Sequence, residues 1–391
     1  MSVETETVAY MADQSISVVI PCLNEEKTLK NVIDTAIAAL NKYGYKGEVV
    51  VADNGSTDRS REIAASNGAR VVEAPLKGYG SALTAGIEGA LGEFVIIGDA
   101  DESYDFMEID RFVQQWKQGY EFVMGTRLHG VIEPGAMPNS HRYLGTPVLT
   151  FLINMFFGTH ISDCNCGLRG FTRSSFLAMD VHATGMEFAS EMIIKASLLK
   201  LKMSEVPATL RVDKRDRRPH LNTWRDGWMH LRFILTYAAD RLLFIPGVLM
   251  VIVGSIGFAL LSEKSRVICG LFMDYHFLFP SSLLLILGVQ CIQFTFLAKT
   301  YTGLAKYNPR VQQLLHFVTF ESGIVMGMLL LLIGLALNLM IVGQWLSTYG
   351  KGLFAIRPAI IAQTLMAVGA QICFASFFMS VLRIPQRRVI Q

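Results

Sequence analysis

Four runs free of charged residues constrain this 391-residue chain more than any other feature: Leu242–Leu261, Phe277–Ala298, Ser322–Gly343 and Ala359–Val381. About 20 such residues in a helix cross the hydrocarbon core of a bilayer. All four lie toward the C-terminus, so the overall balance of 51% hydrophobic and 17% charged residues reflects a membrane-spanning half attached to a more ordinary one. Lysine and arginine set the orientation of such spans. Arg211–Arg241, before the first run, is strongly basic. The second connection carries Lys299, Lys306 and Arg310, and the tail carries Arg383, Arg387 and Arg388. The other two connections hold only Lys264, Arg266, Lys351 and Arg357. This bias predicts an integral multi-pass membrane protein with both termini, and everything before the first span, on the cytoplasmic side. The opening MSVETETVAYMADQ is acidic and has neither the basic nor the apolar part of a signal peptide, which fits that expectation.

The net charge of +2 gives no reason to expect nucleic acid as a partner. Of the six cysteines, Cys164 and Cys166 form a C-x-C pair that nothing completes into a zinc site, and all six are expected to be reduced. Tyr143–Phe157 is apolar but too short to span. The expectation is a helix lying in the membrane interface, with a buried core helix as the alternative.

Residues 16–235 alternate β-rich runs with helical patterns. Ile16–Ile20, Glu48–Ala52, Arg70–Glu73, Phe94–Ile97 and Phe122–Met124 read as strands. Glu25–Asn41, Asp58–Asn67, Gly80–Leu91 and Phe106–Lys117 read as helices. The fold class expected is α/β: a Rossmann-like, mainly parallel sheet with helices on both faces, preceded by a tail at 1–15 and followed by an all-α transmembrane domain at 236–391. Ligands of such sheets bind beyond the carboxyl ends of the strands, and that is where the polar motifs fall.

The first strand ends in SVVIPCLNEE, where Pro21 stops the strand and Asn24 and Glu25 either cap the next helix or face the ligand crevice. The second ends in VVADNGSTD. Asp53 at its tip can accept a hydrogen bond from a base N–H, while the following residues also make a good turn. In KGYG, two glycines around Gly78 open a helix and allow close backbone approach to a ligand phosphate, or simply a tight turn. The fourth strand ends in Gly98-Asp99-Ala100-Asp101. Two carboxylates two residues apart at a strand tip suit Mg²⁺ or Mn²⁺, hard cations that share oxygen ligands with substrate phosphates.

Taken in order, SVVIPCLNEE, VVADNGSTD, KGYG, GDAD and GTR resemble the family 2 glycosyltransferases of the GT-A fold. ISDCNCGLRGFTR resembles the D-x-x-S-G-F-R segment of the polyprenyl-phosphate sugar synthases, the dolichyl-phosphate mannose synthases among them. The resemblance covers about residues 16–235. It implies that Pro21, Leu23, Glu25, Ala52, Asp53 and Asn54 line a nucleotide pocket, with Asn24, Gly78 and Ala100 beside it. It further implies that Asp99 and Asp101 bind metal and diphosphate. Arg127 would reach the transferred sugar or the acceptor phosphate, and Arg142 and Arg169 would help to grip that phosphate. Lys214 and His220 fall at the positions of two cationic donor contacts. Three departures stand out. Ser103 replaces a glutamine that often follows the second metal aspartate, leaving Glu102 or water to complete the metal shell. Cys166 and Leu168 replace the serine and phenylalanine of the later segment. The loop that reads R-x-x-G-x-S-K-L in the mannose synthases is Lys214–Leu221 here, so glucose from UDP is as plausible as mannose from GDP.

A phosphate acceptor is already anionic and needs no base, only positioning against the donor. The expected reaction is therefore a single inverting displacement, in which the phosphate of an undecaprenyl or dolichyl lipid attacks the anomeric carbon of a nucleotide sugar. The alternatives are a synthase that extends a sugar chain, against which the missing Q-x-x-R-W motif counts, and a non-enzymatic membrane scaffold. Membrane lipids are expected partners, and an oligomer is compatible with this organisation.

Overall fold

The computed structural model describes residues 15–214, 223–307, 312–313, 319–349 and 353–384, and the chain divides into two compact units, Met1–Ile234 and Leu235–Gln391. The first unit is built on a seven-stranded sheet. Its strands are β1 (Ser15–Cys22), β2 (Lys46–Asp53), β3 (Arg70–Glu73), β4 (Phe94–Ile97), β5 (Phe122–Thr126), β6 (Arg169–Thr172) and β7 (Met203–Pro207), in the order β3-β2-β1-β4-β6-β5-β7. Strands β3, β2, β1 and β4 run parallel, as do β5 and β7, while β6 runs antiparallel between β4 and β5. Val18–Ile20, Val49–Val51 and Phe94–Ile97 are all buried, as uninterrupted apolar strands must be when helices cover both faces.

The helices follow from their patterning. In α1 (Leu29–Lys42), Leu29, Val32, Ile33, Ala36 and Leu40 repeat at helical spacing and all turn into the core. Then come α2 (Ser60–Ser66), α3 (Tyr79–Gly89) and α4 (Ile109–Lys117). The antiparallel β6 has no strand-like sequence. It is four residues long and begins with an arginine, yet register sets Arg169 opposite both Ile97 and Met124 in the middle of the sheet.

Next along the chain are α5 (Thr146–Phe157), α6 (Arg173–Met179), α7 (Phe188–Leu198) and α8 (Thr223–Tyr237). A wide turn of π-helical type at His141–Gly145 leads into α5, and Gly158 ends it in the left-handed region at φ +70°. Two hydrogen bonds tie neighbouring helices to α7. Ser197 Oγ donates to the Phe157 carbonyl at the end of α5, and Ser190 Oγ lies 2.8 Å from His230 Nδ1 of α8. Both neighbours leave apolar side chains uncovered, Phe151 at 62% and Trp224 at 85% exposed.

Among its described residues the second unit contains four helices long and apolar enough to cross a membrane: Asp240–Leu261, Tyr275–Tyr301, Phe320–Ser347 and Ile356–Leu382. Each includes the expected uncharged run and extends a little past it. A two-stranded hairpin, β8 (Arg266–Ile268) and β9 (Leu271–Met273), joins the first two. Backbone approaches backbone through small residues. A Cβ at Gly369 would come within 2.6 Å of the Gly327 carbonyl oxygen.

Candidate active site

The tips of β1 and β2 are knitted together by their own polar residues. Asp53, 1% exposed, accepts from Gly55 N at 3.0 Å, Ser56 N at 3.2 Å and Arg61 Nε at 2.6 Å. Burial pushes its carboxyl up, and these donors outweigh it and hold it below the usual range. Asn24, in the left-handed region at φ +58°, accepts from Thr57 N at 2.7 Å, and its own N–H donates to Ser56 Oγ. Glu25 is buried, and its carbonyl receives the N–H of Leu29, where α1 begins. Asn54 donates to the Ala74 and Leu76 carbonyls and accepts from Gly78 N at 2.8 Å. Pro21 and Leu23 are half-buried, and Ala52 and Ala100 are buried.

Past the tip of β4 lies a cavity of about 320 Å³, whose lining brings Asp99, Asp101, Arg127 and Arg169 together. Asp99 accepts from the Tyr79 hydroxyl at 3.0 Å, and Asp101, 6% exposed, accepts from both the N–H and the hydroxyl of Ser103. Ser103 therefore supports Asp101 in place of the absent glutamine. Glu102, the expected substitute ligand, is committed elsewhere. It sits at φ +64° and accepts from Lys214 Nζ at 2.6 Å and Asn31 Nδ2 at 3.0 Å. Among the described residues no group of three His, Cys, Asp or Glu could hold a metal by itself. Two aspartates at a strand tip fit a divalent cation that completes its shell with water and substrate phosphate oxygens.

The three arginines prove unlike. Arg127 forms a fork with Asp163, Nε to Oδ2 at 2.7 Å and Nη2 to Oδ1 at 2.8 Å. Arg169, expected to reach outward to phosphate, is 1% exposed, because β6 carries it into the sheet. It donates to the carbonyls of Cys166 at 2.9 Å, Ala189 at 2.6 Å and Cys164 at 2.8 Å. Three of its five N–H groups thus serve the fold, and the guanidinium forms a fixed positive wall of the cavity. Arg142 is exposed, 5.5 Å above the Tyr143 ring, and does not line the cavity, although its neighbour His141 does.

Lys214 is bound to Glu102 through its side chain, and its N–H lies 3.3 Å from the Asp101 carbonyl. His220 lies outside the described residues. The free thiols of Cys164 and Cys166 are buried, and burial pushes both up to about 12, which leaves them unreactive. Sequence reasoning did not single out Tyr79, Tyr104, His141 or Asp163. Tyr79 lay in plain view inside KGYG, and Asp163 is the third residue of ISDCNCGLRGFTR, but only the fold brings Tyr79 into the cavity lining and Asp163 onto Arg127.

The description "Glycosyl transferase family 2" matches residues 17–178, and "Glycosyltransferase family 2 C-terminal transmembrane region" matches residues 296–383. The chain is 35% identical over 371 residues to the low-salt glycan biosynthesis hexosyltransferase Agl6 of Haloferax volcanii, spanning 94% of this chain and 89% of that protein. It is also 35% identical over 173 residues to the undecaprenyl-phosphate 4-deoxy-4-formamido-L-arabinose transferase of Pectobacterium atrosepticum, covering 42% of this chain and 51% of the relative. Among solved structures, glucosyl-3-phosphoglycerate synthase of Mycobacterium tuberculosis superimposes with a TM-score of 0.46 at 23% identity, over 60% of this chain and 81% of that one.

Proposed function

This chain belongs to glycosyltransferase family 2, and from that premise we propose that it transfers a hexose from a nucleotide sugar of the UDP-glucose or GDP-mannose type to undecaprenyl or dolichyl phosphate at the cytoplasmic membrane face. The observation that carries this reading is the charge pattern of the cavity, with the Asp99 and Asp101 carboxylates and the Arg127 and Arg169 guanidiniums all in its lining. A diphosphate donor needs its charge compensated, and a phosphate acceptor needs cations that do not have to reorganise. Arg127 and Arg169 are held by Asp163 and by three carbonyls, so their geometry precedes the ligand. Mg²⁺ or Mn²⁺ at Asp101, with Asp99 beside it, would neutralise the departing nucleoside diphosphate.

The membrane context supports a lipid acceptor. Four spans anchor the chain, and the turn before α5 together with α5 leaves Tyr143, Leu144 and Phe151 exposed, an apolar surface suited to the bilayer interface. With that surface in the interface, Arg142 beside it would meet the phosphate of a lipid, while the tips of β1 and β2 around Asp53 and Asn54 serve the base and ribose. One relative acts on undecaprenyl phosphate by name, and Agl6 is a hexosyltransferase by name. Attack by the lipid phosphate on the anomeric carbon, with nucleoside diphosphate leaving from the opposite face, inverts the sugar in one step.

The test is to incubate the purified full-length protein with labelled UDP-glucose, UDP-galactose, UDP-N-acetylglucosamine or GDP-mannose and with undecaprenyl phosphate, with and without EDTA. A chloroform-soluble monosaccharide lipid that EDTA prevents is the expected product. Preference for a water-soluble sugar acceptor, or growth of a polymer, would favour the chain-extending synthase instead.

A further inference from the structure

The turn at Lys77–Gly80 has the composition of a phosphate loop, but the protein's own backbone fills the space its glycines leave. A Cβ at Gly78, where φ is +132°, would lie 2.1 Å from the Thr184 carbonyl oxygen, and one at Gly80 would lie 2.3 Å from that of Ala183. Ser81 N–H donates to the Thr184 carbonyl at 3.2 Å, which satisfies a first-turn donor of α3 that a phosphate would otherwise take. The 182–184 loop is fastened from behind as well. Glu191, 1% exposed, accepts from His182 N at 3.0 Å and Ala183 N at 2.7 Å, and pairs with the buried Lys195 at 2.6 Å.

So clamped, the start of α3 aims Tyr79 into the cavity, where its hydroxyl donates to Asp99 Oδ1 at 3.0 Å. The other carboxylate oxygen meets a backbone wall, since a Cβ on Gly167 would be 2.8 Å from Asp99 Oδ2. Gly167 N–H donates to the Tyr104 hydroxyl at 2.8 Å, which fixes that wall. Asp99 is held between the Tyr79 hydroxyl and the Gly167 backbone.

We propose that Tyr79 is a positioning residue, which fixes the Asp99 carboxylate in the orientation that meets the metal and diphosphate of the nucleotide-sugar donor, and that the Lys77–Gly80 turn exists to aim it. The assignment rests on the reading of Asp99 as a donor-binding residue given above. Misplacing a contact group by about 1 Å can cost on the order of a hundredfold in rate.

The experiment compares Tyr79→Phe with the wild type, both full length in detergent. Three quantities are measured: kcat and KM with whichever of the four sugar nucleotides the wild type uses, the affinities for UDP and UDP-glucose (or GDP and GDP-mannose) by calorimetry, and the unfolding midpoint. The expected result is a loss in kcat/KM of about tenfold to hundredfold, weaker binding of both the sugar nucleotide and the free nucleoside diphosphate in the presence of Mn²⁺, unchanged affinities in EDTA, and unchanged Tm. Unaltered kcat/KM and sugar-nucleotide affinity would overturn the proposal. An equal loss of affinity in EDTA, or a fall in Tm, would also overturn it by marking the hydroxyl as merely structural. A wild type that transfers no sugar to undecaprenyl phosphate would sink the functional reading alone, because the two calorimetric affinities still judge Tyr79.

Discussion

Arg127 and Asp163, 36 residues apart in the chain, meet in a buried fork in which the guanidinium donates twice and the Arg127 backbone N–H a third time, at 3.1 Å. Asn165 N adds a fourth donor at 3.1 Å. The pair binds the end of β5 to the segment that enters β6 and sets one cation of the cavity. Breaking such a pair from one side strands the other charge, at a cost of about 3–5 kcal/mol. Asp163→Asn should therefore lower stability by that order in chemical or thermal unfolding, and lower activity with it. A variant as stable as the wild type would show that the fork is incidental.

The same pair predicts a pH dependence. Burial pushes the Asp163 carboxyl up, but Arg127 and the backbone donors more than reverse this, so its native value is depressed. A depressed carboxylate contributes stability that is fully present above its unfolded value, about 3.9, and is lost as pH falls through the native value. Unfolding midpoints of the wild type should drop steeply below about pH 4, and those of Asp163→Asn less steeply. Parallel curves for the two proteins would remove Asp163 from the account.

Asp101 offers a test of the metal reading. Asp101→Asn keeps an acceptor for the Ser103 N–H and hydroxyl, so the loop should hold and Tm should move little. Transfer should fall at least about a hundredfold, as expected where electrostatic stabilisation of a leaving group is lost. EDTA should do the same to the wild type, with activity restored by Mn²⁺ or Mg²⁺. Full activity in the variant, or indifference to chelation, would exclude the role.

The arginines should separate by burial. Arg142→Ala removes an exposed cation beside Tyr143 and should raise KM for polyprenyl phosphate roughly tenfold, the loss of one charge-assisted contact, without changing Tm. Arg169→Ala leaves the Cys164, Cys166 and Ala189 carbonyls unpaired and should cost several kcal/mol of stability, about 1–3 for each orphaned group. If Arg142→Ala left acceptor kinetics unchanged, the acceptor phosphate would have to be sought elsewhere.

Cys269 supplies a native topology probe. It is exposed in the hairpin between the first two spans, whereas Cys22, Cys164 and Cys166 are buried. With the orientation set by the Lys and Arg bias, a membrane-impermeant maleimide should label intact cells at Cys269, and Cys269→Ser should abolish the signal. Labelling only after permeabilisation would invert the topology.

What the sequence determined by itself is whatever depends on one stretch of chain at a time. Uncharged runs of about 20 residues gave the four spans, since length and apolarity suffice for crossing a bilayer. Short β-rich runs gave β1 to β5, and Asp53, Asp99 and Asp101 could be set at strand ends because a strand stops near where its apolar run stops. Only the tertiary structure decided what depends on pairing between distant segments. No local pattern marks β6, whose four residues are a strand because β4 and β5 hold open a gap between them, and that insertion turns Arg169 from a ligand-seeking cation into part of the wall. The glycines of Lys77–Gly80 could be read as space for a phosphate. Whether a ligand or the protein fills that space depends on the 182–184 loop, about a hundred residues away, and on the buried Glu191 that fixes it. Local patterns record what a residue is able to do. Register and burial decide which partner reaches it first.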